Sequence, residues 1–277
     1  MIQEFFKPQT IVEALELKEK LQNEAVFMAG GTDVNCTDSN YEIETVIGIE
    51  QLKLNKISKT EKALSIGAGV TIQELIDSPK IPDPLTTAAR HFINRNIRNM
   101  ATIGGNIASN YSTSNLIPIL VALDAELKIG GSATSISVYD YITREMTHLI
   151  EGIMISPENL TKKYGIRQFS RTANDTSIIT AAVAFNIQHE KVSNVRVAIG
   201  GVGKHVVRLT ELENKLEANK LPAPTEIEDT VKKIVSPLKD IRGDVQYKKY
   251  LAGTLVSDCI YNAQTGGKMT NEECYDC

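Results

Sequence analysis

Two glycine pairs constrain the fold of this chain more than any other feature of its sequence. One lies in Ala29–Asp33 (AGGTD), directly after Ala25–Met28, a short apolar run that predicts a strand, and the other lies in Thr102–Asn106 (TIGGN). Glycine has no side chain, so backbone amides at such positions can converge on an anion. Two such segments in one domain suit a ligand with a pyrophosphate and a large ring system. A tight turn without a ligand remains the alternative for either segment alone.

The residues beside the glycines refine this prediction. Thr32 adds a hydroxyl donor to the first segment. Asp33 would repel a phosphate at contact range, so we expect its carboxylate to accept from a hydroxyl or to cap a turn. Near the second segment, Arg95 and Arg98 are the closest cations in sequence, although a solvated helix end would also account for them.

The commoner nucleotide motifs do not fit. Gly67–Ile72 lacks the third glycine of the dinucleotide fingerprint G-x-G-x-x-G. Ala198–His205 resembles a P-loop but has alanine at the first glycine position, and His205 stands where a magnesium-binding hydroxyl is needed. A dinucleotide-binding Rossmann fold and a P-loop site are therefore both rejected.

Motifs for direct catalysis are also missing. The four histidines have no paired-ligand spacing, and no G-x-S-x-G nucleophile motif occurs. We therefore predict no catalytic residue and no metal ligand. The chain has the features of a cofactor holder, in which the cofactor supplies the chemistry.

Composition excludes several other classes of protein. The 277 residues are enough for about two domains, and 42% hydrophobic with 23% charged residues is typical of a globular protein. A net charge of −4 excludes a generally basic nucleic-acid binder. Apolar runs such as Leu116–Leu123 are too short for a membrane span, and the N-terminus has no pattern of an export signal.

Cysteine usage points to a reducing, cytoplasmic location. The four cysteines are too few and too scattered for a disulfide scaffold or for an iron–sulfur cluster within this chain. Only Cys274 and Cys277 have cluster-like spacing, and they stand in a polar tail at residues 265–277. A frayed chain end and a metal or redox pair both remain open for them.

The order of predicted elements favours an α+β fold over a regular βαβ series. The hydrophobic pattern of the sequence changes near residue 163, which predicts a domain boundary there. After it, apolar residues alternate as in an antiparallel sheet. The predicted strands there are Ile166–Phe169, Ala181–Ile187 and Val195–Ile199, followed by helices near Leu209–Leu216, Glu226–Val235 and Val245–Asn262.

The two glycine segments, in register about 70 residues apart, resemble the FAD-binding subunit of molybdenum hydroxylases. That family includes the medium chains of xanthine dehydrogenase and carbon monoxide dehydrogenase. Further matches cover almost the whole chain: Ile97–Asn99, Leu116–Pro118 with Leu123–Ala125, and Arg242–Gly243 with Tyr247–Lys248. Over its whole length, the sequence pattern most resembles that of FAD subunits of xanthine dehydrogenase-like or so-called selenate reductase complexes.

The resemblance implies the architecture. It gives a two-lobed FAD-binding domain of the molybdopterin dehydrogenase (PCMH) type at 1–163, with lobes at about 1–55 and 56–163. An α+β C-terminal domain with an antiparallel sheet and helices would follow at 164–264.

The resemblance also implies the cofactor-binding residues. Asn115 stands where relatives often have aspartate, which removes a charge but keeps hydrogen-bonding capacity. Arg208 is the nearest candidate for a basic residue that approaches the cofactor from the C-terminal domain. The full set is Phe27, Met28, Ala29, Gly30, Gly31, Thr32, Asp33, Val34, Ile93, Thr102, Gly104, Gly105, Asn106, Ser109, Asn115 and Arg208.

The implied function is an FAD-dependent oxidoreductase subunit that transfers electrons. A large partner chain would carry the molybdenum cofactor and a second partner the 2Fe-2S clusters, from which electrons would pass through FAD to NAD or another acceptor. The alternative is a non-catalytic assembly module with weakened FAD binding, suggested by Asn115 and the polar stretch 109–115. A self-contained oxidase with covalent FAD is less favoured, because the first glycine segment has no histidine or cysteine to form the bond.

Overall fold

The first lobe is a small sheet with one helix packed against it. The computed structural model describes residues 2–36, 43–92, 94–172 and 175–265. Strands β1 (Glu4–Phe6), β2 (Ala25–Met28) and β3 (Thr45–Gly48) are parallel, with β3 in the centre. Helix α1 (Ile11–Leu21) begins after Thr10, whose side chain accepts from an amide of the first turn.

The second lobe is built on a five-stranded antiparallel sheet in the order β4-β5-β8-β6-β7. Its strands are β4 (Ile57–Lys59), β5 (Leu64–Gly67), β6 (Glu126–Ile129), β7 (Ser135–Ser137) and β8 (Ile150–Ile155). Its helices are α2 (Ile72–Asp77), α3 (Asp83–Arg90), α4 (Arg95–Met100), α5 (Ile103–Ser109), α6 (Ile117–Ala122), α7 (Val138–Thr143) and α8 (Pro157–Leu160). Every residue of α6 is buried, so this helix forms the centre of the lobe.

The C-terminal part is a four-stranded antiparallel sheet covered by helices. Strands β9 (Lys163–Phe169), β10 (Ile179–Gln188), β11 (Lys191–Gly200) and β12 (Val207–Arg208) lie in the order β12-β11-β10-β9. The helices are α9 (Thr210–Leu216), α10 (Pro224–Ile234) and α11 (Val245–Thr265). Helix α11 lies so close to β9 that a Cβ atom at Gly165 would stand 2.0 Å from the carbonyl oxygen of Cys259.

A partly buried ion-pair triad connects the second lobe to the C-terminal sheet. Asp124, which follows α6, accepts from Lys162 at 3.2 Å and from Arg196 on β11 at 2.7 Å. The side chain of Lys162 is fully buried, and desolvation lowers its pKa while the Asp124 carboxylate opposes that shift. The Lys162 charge is thus retained in the interior by its pairing.

The predicted α+β class and the antiparallel C-terminal sheet are confirmed, but one local prediction is wrong. The second glycine segment, expected as a loop, contains the first turn of α5. Thr102 accepts from the amide of Gly105 at 3.0 Å and so caps this helix.

The division at residue 163 stays a prediction. Among the described helices, none combines the length and apolar character needed to cross a membrane.

Candidate cofactor site

The first glycine segment is a turn that follows β2. Gly31 has a φ of +69°, a backbone conformation that side chains disfavour, so glycine is required there for steric reasons. The amide of Asn35 donates to the carbonyl of Gly31 at 3.0 Å, and the amide of Cys36 donates to the carbonyl of Asp33 at 3.0 Å. These two bonds close the turn.

The turn leaves five successive backbone amides available. Among the residues that the structure describes, the amides of Gly30–Val34 donate to no protein acceptor. The same residues are only partly exposed. Unpaired backbone amides at partly buried positions are costly unless a ligand or water accepts from them. The segment therefore has the donor set of an anion-binding nest.

Gly30 brings the two glycine segments together. A Cβ atom at Gly30 would lie 1.7 Å from the carbonyl oxygen of Met100, the last residue of α4. The chain then passes through Ala101 to Thr102, the N-cap of α5. The absence of a side chain at Gly30 is thus the condition for this contact.

The second glycine segment differs in its hydrogen bonding. The amide of Ile103 donates to Val70, and that of Gly104 donates to Ala68, both at 2.9 Å. A Cβ atom at Gly104 would stand 2.6 Å from the side chain of Ala68. Gly104 therefore permits close packing of α5 against Ala68, which directly follows β5, whereas Gly105 is exposed at the helix start.

A pocket of about 170 Å³ opens beside the second segment, between the second lobe and the C-terminal domain. Ser114 donates to the side-chain oxygen of Asn106 at 2.8 Å, which fixes one wall. Seven of the eight lining residues carry a hydroxyl or amide group, although most of the lining surface is apolar; the lining consists of Phe92, Asn106, Tyr111, Thr113, Ser114, Asn115, Thr176 and Ser177.

Asn115 holds the pocket together through partners that an aspartate could not all satisfy. Its side-chain nitrogen donates to the carbonyl of His91 at 2.9 Å, while its oxygen accepts from Ser177 at 3.0 Å and from Thr180 at 3.3 Å. An ionised aspartate has no donor for the carbonyl of His91. Asparagine at this position is therefore explained by local hydrogen bonding.

Tyr111 links the pocket to the first glycine segment. Its hydroxyl donates to Oδ1 of Asp33 at 2.6 Å. The expectation that Asp33 accepts from a hydroxyl is thus met within this chain. Sequence reasoning did not find Tyr111, Ser114 or Ser177, because single polar residues carry no periodic or motif signal.

His91, whose backbone carbonyl accepts from Asn115, is a partly buried titratable group. Burial lowers its pKa, and the nearby Arg167 guanidinium lowers it further. Within the described residues, Nε2 of His91 has no hydrogen-bond partner. The neutral imidazole is therefore the form that the fold favours.

The other residues predicted to bind the cofactor differ in what their side chains contact. Phe27 and Ala29 pack against the core of the first lobe. Met28 faces the turn, with its sulfur 4.0 Å from the Asn35 side-chain amide. Ser109 donates to the carbonyl of Asn106 at 3.0 Å. The prediction for Ile93 lies outside the described residues.

The three arginines considered as cofactor contacts are not brought together at the turn. Arg98 donates to Gln73 and to the carbonyl of Phe92, each at 3.0 Å. Arg208 forms two hydrogen bonds with Glu213, at 3.2 and 2.6 Å, and lies over the ring of Tyr139. The Glu213 carboxylate raises the pKa of Arg208, which desolvation opposes. A contact of Arg208 with a cofactor stays a prediction, and no contact of Arg95 with the turn is present within the described residues.

Comparison with known protein families identifies this class of site. Residues 1–157 match the FAD-binding domain in molybdopterin dehydrogenase. Residues 164–263 match the carbon monoxide dehydrogenase flavoprotein C-terminal domain. The chain therefore belongs to the molybdenum hydroxylase family, as an FAD-binding medium subunit of the carbon monoxide dehydrogenase type. The resemblance found in the sequence, and FAD as the cofactor, are confirmed.

Individual relatives and solved structures agree with this assignment. The protein YgfM of Escherichia coli K12, described as uncharacterized, is 36% identical over 97% of this chain and 99% of its own length. The carbon monoxide dehydrogenase medium chain of Hydrogenophaga pseudoflava is 24% identical over 93% of this chain and 95% of its own. A structure of that organism's carbon monoxide dehydrogenase matches the fold with a TM-score of 0.88 at 23% identity, covering 96% of this chain and 98% of the other.

Proposed function

We propose that this chain holds FAD and passes electrons from iron–sulfur clusters on a partner chain to NAD or another acceptor. The amides of Gly30–Val34, which have no protein acceptor among the described residues, are the observation that carries the proposal, because five adjacent donors on one turn suit a pyrophosphate. When bound, FAD supplies two-electron chemistry at its isoalloxazine ring.

The residues of this chain bind and orient the cofactor. The amides of Gly30–Val34 would donate to the pyrophosphate. Thr102, Gly105 and Asn106 would contact FAD from the second segment, where Gly105 is exposed and Asn106 lines the pocket. Asn115 would keep the pocket wall in place through His91 and Ser177. No side chain is required to transfer a proton.

The remaining redox centres belong to partner chains in this proposal. The four cysteines of the sequence are too scattered to ligate an iron–sulfur cluster. Of these, Cys259 is fully buried, and desolvation raises the pKa of its thiol. We therefore assign the 2Fe-2S clusters to one partner and the molybdenum cofactor to a large partner, which would recognise the substrate. The scarcity of cysteines also supports a cytoplasmic location.

FAD titration of the purified chain tests this proposal. We expect tight binding, measured by quenching of flavin fluorescence, and about tenfold weaker binding for Gly31→Ala, because strain at φ +69° distorts the turn. Gly131→Ala is the matched control, since Gly131 has a φ of +74° and contacts Leu15 in the first lobe.

The two variants separate cofactor binding from folding. Equal losses of FAD affinity in both would show that general destabilisation, not the turn, controls binding. A folded wild-type chain that assembles with its partners but does not bind FAD would overturn the proposal and favour the assembly-module alternative.

A further inference from the structure

One face of the C-terminal domain exposes several large apolar side chains. Among the described residues, Phe169, Leu238, Ile241, Tyr247 and Tyr250 are exposed, and we call these five residues the apolar face. Leu238 is 78% exposed and Ile241 is 85% exposed. Large exposed apolar side chains gathered around one element, here the start of α11, are typical of an interaction surface.

The apolar face is held by specific contacts. Lys248 is buried, pairs with Asp240 at 2.8 Å and donates to the carbonyl of Leu238 at 3.0 Å. A Cβ atom at Gly243 would stand 2.7 Å from the ring of Tyr247. The turn that presents Leu238 and Ile241 is therefore fixed on the start of α11 and keeps these side chains in solvent.

The apolar face is next to the candidate cofactor pocket. The ring of Phe169 packs edge-on against Tyr247, with centroids 6.5 Å apart. The amide of Ile178 donates to the carbonyl of Phe169 at 2.7 Å, and Ser177, the residue before Ile178, lines the pocket. Asp175, whose pKa is lowered chiefly by Arg171, also lies within electrostatic reach of Arg242 beside Ile241. Phe169 and its hydrogen-bond partner Ile178 thus connect the apolar face to the pocket.

The margin of the apolar face carries unpaired positive charge. Lys233, Lys239 and Lys249 form no ion pair within the described residues. Lys233 and Lys249 lie with Tyr250 around one surface depression, and Lys239 is adjacent to Leu238 in the sequence. A partner that covers this face would therefore need an apolar centre and an acidic margin.

We propose that the apolar face docks the partner chain that carries the iron–sulfur clusters. This inference rests on the proposed function. The electron donor must come close to the flavin, and this face adjoins the pocket through the backbone contact between Phe169 and Ile178. A second copy of this chain suits the face less well, because a twofold contact would bring the unpaired lysines of both copies together.

Isolation of the native complex through an affinity tag on this chain tests the proposal. Ile241→Asp should reduce the recovered iron–sulfur chain at least about tenfold, as expected when an apolar anchor at the centre of an interface is replaced by a charge. Val12→Asp is the matched control, because Val12 is a similarly exposed apolar residue on α1. FAD content per chain is measured in parallel and should be equal in all three proteins.

A photo-crosslinking amino acid at position 241 gives a second readout that does not depend on a disruptive charge. A crosslink to the iron–sulfur chain supports the proposal. Crosslinking to the molybdenum chain or to a second copy instead, or full retention of the iron–sulfur chain by Ile241→Asp, overturns it. Failure of the proposed function is distinguishable, since the wild-type complex would then lack FAD or an iron–sulfur chain.

Discussion

The two glycine segments have the same dipeptide but solve different structural problems. In Ala29–Asp33, a positive φ at Gly31 turns the chain so that the amides of Gly30–Val34 have no protein acceptor among the described residues. In Thr102–Asn106, the amides of Ile103, Gly104 and Gly105 all donate within the protein. The first segment therefore leaves its amides without protein acceptors among the described residues, whereas the second uses its amides to build the fold.

The two segments should therefore respond differently to substitution. Gly30 and Gly104 both allow close approach of another part of the chain. Gly30 lies against the backbone of α4, whereas Gly104 lies against Ala68 in the second lobe. Substitutions in the first segment should therefore change cofactor affinity and stability together. Substitutions at Gly104 should mainly change stability.

The largest expected effect comes from Gly30→Val. Its side chain would overlap the carbonyl of Met100, where even a Cβ atom would be only 1.7 Å away. We expect the free energy of unfolding to fall by roughly 3 kcal/mol and FAD binding to be lost. Urea denaturation and flavin fluorescence titration measure the two effects.

Gly104→Val is the counterpart in the second segment. Contact with Ala68 should cost about 2 kcal/mol of unfolding free energy, while the folded fraction keeps most of its FAD affinity. If folded Gly104→Val protein bound no FAD, the proposed separation of binding from packing would be wrong.

Alanine substitutions at Gly31 and Gly105 should have smaller effects on the unfolding free energy, but the two effects should differ clearly from each other. Gly31→Ala should cost about 1–2 kcal/mol because of its positive φ. Gly105→Ala should change the unfolding free energy by no more than about 0.5 kcal/mol, since only the hydroxyl of Thr102 lies near its added methyl group. Thermal and urea unfolding of both variants provide the comparison, and equal losses would contradict it.

Removal of the hydroxyl of Tyr111 should have a modest effect on the first segment. Tyr111→Phe deletes the 2.6 Å hydrogen bond to Asp33, with an expected cost of about 1 kcal/mol. FAD affinity should fall several-fold because the turn loses this support. Tyr261→Phe, which deletes a 2.9 Å bond to the carbonyl of Pro222, is the matched control and should leave FAD affinity unchanged.

The smallest expected effect is a pH dependence from His91. Burial, and then Arg167, lower its pKa in the folded state, so the unfolded chain binds more protons at mildly acidic pH. Stability should therefore decrease as the pH falls through the unfolded-state pKa of about 6.5.

Urea unfolding at several pH values tests this, with His91→Gln expected to show a flatter profile. The exposed His148→Gln serves as the control and should keep the wild-type dependence. A His91→Gln profile as steep as that of wild type would mean that other groups control the acid response.

Much of the fold could be predicted because local signals and tertiary packing agree. Strand Ala25–Met28 was predicted with its exact bounds, and the apolar alternation after Tyr164 predicted β9, β10 and β11. Helix α5 was missed because a glycine pair is a strong turn signal, and only the Thr102 cap and packing on Ala68 favour a helix there.

The sequence by itself indicated the class of cofactor, because its two glycine segments, about 70 residues apart, resemble those of the FAD-binding subunits of molybdenum hydroxylases. Its scattered cysteines also predicted that iron–sulfur ligands would lie on a partner chain. Tertiary structure alone decided which glycines leave amides free, because that depends on acceptors such as Ala68 and Val70, which are distant in sequence. The tertiary structure also placed Tyr111 against Asp33 and Phe169 against Tyr247. The residues of each pair are 78 positions apart, and no local sequence pattern predicts such a contact.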